Sequence, residues 1–214
     1  MTFILPGGLG QMMAAYPNTS AWDPTNASAP APTFSNNNRT LTGYTTGAAS
    51  SCRGVLSNST GKHYFEGTIG PVATGQLQSL GVVNTSWTAA SNPVGVDSNG
   101  VALVASPAGG NYNVTAGATV QYSTSAPPAA GDVLGVAVDF TTGSVSRVYF
   151  SLNGIWVAQG TNVATFNAAL PDFSWGAVTT LFTAGSTNSA SPLTLNTGNA
   201  AFKHAPPPGF SAWG

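Results

Sequence analysis

Residues 131–160 read GDVLGVAVDFTTGSVSRVYFSLNGIWVAQG. Leu134, Val136, Val138 and Phe140 occupy alternate positions, with Val133, Gly135, Ala137 and Asp139 between them. An extended chain therefore puts the first set on one face of a sheet and the second on the other. Residues 141–144 hold a glycine suited to a turn, after which Val148, Phe150 and Leu152 resume the apolar face. Asn153-Gly154 tolerates the positive φ angles of a type I′ turn, and residues 155–158 return. The stretch predicts a meander of three antiparallel strands.

The same pattern extends outward along the chain. In residues 63–69, His63, Phe65, Gly67 and Ile69 share one side of a strand, with Tyr64, Glu66 and Thr68 on the other. Residues 80–83, 101–105, 120–123, 175–182 and 193–196 are further strand candidates. The 26 Gly and 15 Pro cut the sequence into short apolar runs, and no window sustains a helical period. About a dozen short strands in one domain predict two sheets packed face to face, because a single sheet of that size leaves an apolar face wet. The expected fold is all-β, a two-sheet antiparallel β-sandwich over residues 21–214. Residues 1–20, interrupted by Pro6, Gly7, Gly8, Gly10 and Pro17, form an irregular N-terminal arm and a docking segment, with room for a helical turn around residues 11–15.

Composition narrows the function. Of 214 residues, only 5 are Lys or Arg and 6 are Asp or Glu, for a net charge of -1. So few cations cannot neutralise a phosphate backbone, which argues against nucleic acid as a partner, and they cannot hold an anionic bilayer surface. No run of about 20 apolar residues is available for membrane insertion. The first residues, MTFILPGGLG, lack a basic region and are broken by Pro and Gly, so no secretory signal is expected. Cys52 is the single cysteine, which leaves no intrachain disulfide and no cysteine metal cluster.

The order of motifs resembles the SPRY domain, a concanavalin-like sandwich of jelly-roll type. Trp22-Asp23-Pro24 with TFSNNNRTLT is similar to its opening strand pair, and Gly61, Lys62, His63, Tyr64, Phe65 and Glu66 resemble its Gly-x-His-Tyr-Trp-Glu strand, with Phe in place of Trp. Gly131, Asp132, Gly135, Asp139, Phe150, Asn153 and Gly154 resemble its most specific signature, and Pro208-Gly209-Phe210 its closing tail. The likeness runs from about Trp22 to Phe210. It implies a binding fold that presents loops at one edge of the sandwich, with no catalytic set. The uncharged loops look like those of SPRY-like modules of phage and bacterial type, including virion fibre and surface components.

Candidate chemistry is sparse. A hydrolase needs a nucleophile, a base and an orienting acid, yet the histidines are His63, in a core strand, and His204, in a Pro-rich tail. A glycosidase needs a carboxylate pair; Asp132 and Asp139 belong to the fold signature, Asp23 and Asp97 to turns, and Glu66 and Asp172 remain. Asp97-Ser98-Asn99-Gly100 lacks the distal Glu of a calcium loop and reads as an Asn-Gly hairpin turn. The sequence implies no catalytic residues, no metal and no cofactor.

Trp22, Trp156 and Trp175 are expected in or beside the core, whereas Trp87 lies in the polar stretch NTSWTAASNP and Trp213 next to the end. A loop tryptophan offers a large apolar area and one N–H donor to a sugar face or protein surface. Trp87 and the amide–aromatic triplet Asn111, Tyr112 and Asn113 are therefore the candidate ligand-binding residues, weighed against packing within their own domain. The sequence points to a non-enzymatic virion surface component (fibre, tail or capsid decoration) that binds a host-surface glycan or neighbouring virion proteins, as a homo-oligomer or in many copies. The alternative is a stand-alone peptide- or glycan-binding module, cytoplasmic or secreted, with no assembly role.

Overall fold

Short runs rich in β-branched and aromatic residues, punctuated by Gly, Pro and Asn, fold into strands, and the described residues contain no helix. The computed structural model describes residues 20–43, 49–73, 75–89, 93–106, 110–124, 127–143, 145–158, 161–163, 173–174, 180–188 and 190–214. The strands are β1 (Trp22–Ala27), β2 (Thr33–Ser35), β3 (Thr40–Thr42), β4 (Ser50–Asn58), β5 (Lys62–Ile69) and β6 (Gln78–Asn84). There follow β7 (Gly100–Ser106), β8 (Asn111–Ala116), β9 (Thr119–Ser123), β10 (Val133–Asp139), β11 (Arg147–Leu152) and β12 (Ile155–Ala158). The last are β13 (Thr161–Val163), β14 (Phe173–Ser174), β15 (Leu181–Thr187), β16 (Pro192–Asn196) and β17 (Ser211–Ala212).

A seven-stranded sheet has the order β1-β4-β15-β6-β7-β8-β9, and a ten-stranded sheet the order β13-β12-β11-β10-β5-β16-β3-β2, with β14 beside β11 and β17 beside β5. All pairings are antiparallel except β17 with β5. Alternation decides which residues meet between the sheets. Leu134, Val136 and Val138 of β10, Phe65 of β5, and Leu103, Leu80 and Trp22 of the opposite sheet share one buried cluster. The expected all-β, two-sheet sandwich is the architecture observed.

The meander forms in the predicted register, with Val136 opposite Phe150 and Leu152 opposite Ile155. Asn153 has φ 51° and Gly154 φ 79°, the pair of left-handed residues that a type I′ turn requires. A Cβ on Gly154 sits 2.7 Å from His204 Nδ1 as well as in a left-handed backbone. Gly154→Val is thus expected to destabilise by more than about 1 kcal/mol, read from the urea midpoint; an unchanged midpoint would remove the turn's structural importance.

Some expectations are corrected. The strand expected over 175–182 falls mostly on residues 175–179, outside the described set, and its end at Leu181 and Phe182 opens β15. Asp97 to Gly100 is no two-residue hairpin turn, because residues 85–99 connect β6 and β7. Within it Trp87 and Val94 lie back over the sheet and are buried, which a tight turn cannot do. Asp97 Oδ1 instead accepts the Asn99 N–H at 2.8 Å, and Asn84 Nδ2 donates to Asn99 Oδ1 at 3.1 Å. The arm's residues 1–19, including the helical turn at 11–15, lie outside the described residues.

Each sheet also carries a covering on its outer face. On the seven-stranded sheet, Trp87 and Val94 close over Val83, Ala102, Val104 and Ala184. On the ten-stranded sheet, Phe202 and Phe210 of the C-terminal tail close over Tyr64, Ala137 and Trp156.

Candidate binding end of the sandwich

Pairing registers gather one set of connections at one end of the sandwich. Ile69, at the end of β5, donates to the Asp132 carbonyl at 3.0 Å and accepts from Gly131 at 2.9 Å. Gly70 donates to Pro192 O at 2.8 Å, which brings the start of β16 to the same end. Asp132 organises this end. Its Oδ1 accepts Asn153 Nδ2 at 2.8 Å, and its Oδ2 accepts the Ala129 N–H at 2.8 Å and the Tyr112 hydroxyl. Asn153 Oδ1 in turn accepts the Val133 N–H at 2.8 Å. One carboxylate thus ties β8 of the seven-stranded sheet to the β11–β12 turn of the ten-stranded sheet. This is the physical task of the Gly131-Asp132 and Asn153-Gly154 positions, which sequence reasoning saw only as a signature.

The exposed described residues beside this hub carry no charge, although a carboxylate lies at its centre and His204 packs against Gly154. Pro127, Ala129, Ala130, Gly131 and Asn153 are exposed, and Ile155 is 43% exposed, one of the large apolar side chains left in water. Such a surface binds through backbone and amide hydrogen bonds and a small apolar contact. It contributes little charge steering.

The structure separates the residues singled out from sequence. Asn111, Tyr112 and Asn113 open β8, so the triplet is a strand's alternation rather than a loop. Tyr112 points inward and is fully buried, while Asn111 and Asn113 point outward and half-buried, and Asn113 Oδ1 accepts Ser123 Oγ at 2.7 Å. Burial, then the Asp132 carboxylate, pushes the Tyr112 hydroxyl far up, so it stays a donor. Trp87 follows the opposite end of β6, where Val83 pairs with Gly100, whereas Tyr112 pairs with Ala105 at the Gln78 end. Trp87 is only 5% exposed. Both aromatic side chains therefore serve packing, because each has apolar surface to cover. Trp87→Ala is expected to cost about 3 to 5 kcal/mol in a denaturant titration, and a shift within error would return Trp87 to the surface.

Trp213 is likewise buried; its ring meets Phe65 at 5.1 Å and its Nε1 donates to Leu56 O at 3.3 Å. No local pattern marks it, since its partners lie about 150 positions away in sequence.

The groups that hydrolysis needs are engaged elsewhere. His63 Nε2 lies 2.8 Å from Thr60 O and Nδ1 3.1 Å from Ala212 O. Glu66 is 2% exposed and accepts Tyr64 Oη at 3.0 Å and the Lys203 and His204 N–H groups at 2.9 and 2.8 Å. Burial pushes the Cys52 thiol up to about 12, so it is no thiolate nucleophile. Asp172 lies outside the described residues. Among the described residues no group of three His, Cys, Asp or Glu is placed to hold a metal.

Comparison with known proteins agrees with the sandwich. The chain is similar to the TRIM65 PSpry domain, with a TM-score of 0.57 at 15% identity over 83% of this chain and 89% of that one. It is similar to the SPRY domain of human HERC1, with a TM-score of 0.58 at 13% identity over 85% of this chain and 100% of that one. A further human SPRY domain gives 0.55 at 15% identity, over 80% and 97%. The fold is SPRY-like. No protein-family model matches the chain, and neither does any curated protein sequence.

Proposed function

We propose that this chain is a non-catalytic binding module carried on the surface of a phage virion. In this reading the Asp132 end of the sandwich faces a host-surface glycan or a neighbouring virion protein. The observation that carries the binding reading is the engagement of its carboxylates. Each described carboxylate already accepts hydrogen bonds from its own chain: Asp23 from Thr25, Glu66 from Lys203 and His204, Asp97 from Asn99, Asp132 from Asn153, and Asp139 from Thr141 and Lys62. What remains for a partner is chiefly amide, hydroxyl, backbone and apolar surface, with a few cations such as the exposed Lys203, on a SPRY-like frame, a fold whose solved examples include the HERC1 and TRIM65 domains.

The virion reading draws its support from composition: a Ser-, Thr-, Asn- and Gly-rich chain with 5% charged residues suits a dense, many-copy surface in which neighbours neither repel nor steer one another. Mass spectrometry and immunogold imaging of purified source particles test it. The expected result is this chain in stoichiometric, regularly spaced copies. Its absence from the particles would overturn the reading and leave the stand-alone module.

A further inference from the structure

The two edges of the seven-stranded sheet differ. At one edge, β1 carries Asp23 and Pro24, a charge and a proline that discourage another strand from pairing. At the other, β9 reads Thr-Val-Gln-Tyr-Ser, with no charge and no proline. Thr119, Gln121 and Ser123 are exposed and Val120 is 53% exposed, so water reaches both faces of the strand. The hairpin before it is held by Gly117 and Ala118 at φ 56° and 63°. No described strand pairs with its outer side. A register shift between Val114 and Thr115 divides the β8–β9 ladder, so the edge offers two short runs rather than one long one.

The chain contains a segment of matching chemistry. Thr2-Phe3-Ile4-Leu5 is uncharged, apolar and strand-prone, and Pro6-Gly7-Gly8 ends it after a length comparable to the five residues of β9. We propose that residues 2–5 of one copy pair with the outer edge of β9 of a second copy, joining subunits by strand addition. The arm enters at Ser20, beside β1, six strand positions from β9 in the same sheet. That is about 29 Å at ordinary strand spacing. Residues 6–19 span up to about 45 Å when extended, long enough to carry residues 2–5 beyond the chain's own sheet to a neighbouring copy. Donation from each copy to the next is heterologous and closes into a ring or continues as a filament.

The proposal deepens the assembly reading and is tested on the purified full chain. Sedimentation velocity over a range up to about 500 µM is expected to show concentration-dependent association. Ile4→Asp and Val120→Lys should each raise the association midpoint about tenfold or more, with unchanged thermal unfolding, and the double variant should recover part of the loss because the new charges face each other. A synthetic peptide of residues 1–11 should dissociate the wild-type assembly, a readout that holds even where a variant folds poorly. A wild-type chain that stays monomeric, or association indifferent to both substitutions and to the peptide, would overturn the contact. So would a crosslink between positions 4 and 120 found only within monomers. A monomer that is nonetheless present in particles overturns this contact alone, whereas an associating chain absent from particles overturns the virion reading alone.

Discussion

Replacing Glu66 by alanine is expected to release the C-terminal tail and lower stability by about 3 kcal/mol or more, because three donors lose a buried carboxylate acceptor at about 1 to 3 kcal/mol each. The chain leaves the ten-stranded sheet after β16, crosses its outer face, and returns as β17 beside His63 and Tyr64. Glu66 holds that crossing through the Lys203 and His204 N–H groups at 2.9 and 2.8 Å, and through Tyr64 Oη at 3.0 Å. Alanine leaves those donors without an acceptor under a covering of Phe202, whose ring meets Tyr64 edge-on at 5.0 Å. Glu66→Gln is the sharper variant. It keeps the shape but turns an N–H2 group toward one of the donors, so a loss of about 1 to 3 kcal/mol is expected. Urea denaturation gives the stability, and limited proteolysis within residues 197–210 gives the release. A Glu66→Ala protein with an unchanged midpoint and an intact tail would show that the aromatic contacts alone hold it.

Tyr112→Ala is the second large effect, at about 3 to 5 kcal/mol by analogy with other buried aromatic truncations. The ring is fully buried between the sheets, and its hydroxyl reaches the carboxylate that orders the proposed binding end. Tyr112→Phe separates the two contributions. It keeps the packing and removes one donor from Asp132, so a loss of about 1 to 3 kcal/mol is expected, along with faster amide exchange at Ala129 and Val133, whose N–H groups are bonded within the Asp132–Asn153 network. Exchange rates equal to wild type in Tyr112→Phe would mean that Asp132 orders this end without the tyrosine.

Sequence carried the meander fully, because alternation and the Asn153-Gly154 turn are local and each strand pairs with its chain neighbour. It also carried the two faces of β5. The placement of aromatics was misread where local polarity masked a strand or a covering segment. Asn-Tyr-Asn-Val-Thr-Ala alternates as cleanly as β10 does, yet the asparagines gave it the look of a loop. Trp87 sits among Ser, Thr and Asn, and nothing nearby reveals that it and Val94 pack back onto Ala102, Val104 and Ala184. The tail shows the same limit: Glu66 meets residues about 137 positions away, a distance over which no periodicity operates. Gly131, Asp132, Asn153 and Gly154 stood out as a motif, but their role as a clamp between sheets requires Tyr112, which belongs to another part of the sequence.

The central claim is that the module recognises its partner through an uncharged surface at the Asp132 end. The most direct measurement is binding of the fluorescently labelled full chain to intact cells of the host that the virion reading proposes, between about 50 and 500 mM salt, for wild type and for Ile155→Asp. Ile155 is exposed beside the Asn153-Gly154 turn, so the substitution should leave thermal unfolding unchanged. The account predicts wild-type affinity that varies by less than about twofold across the salt range and a loss of about 1 to 3 kcal/mol in Ile155→Asp. A steep fall in affinity with salt, or full binding by Ile155→Asp, would contradict it.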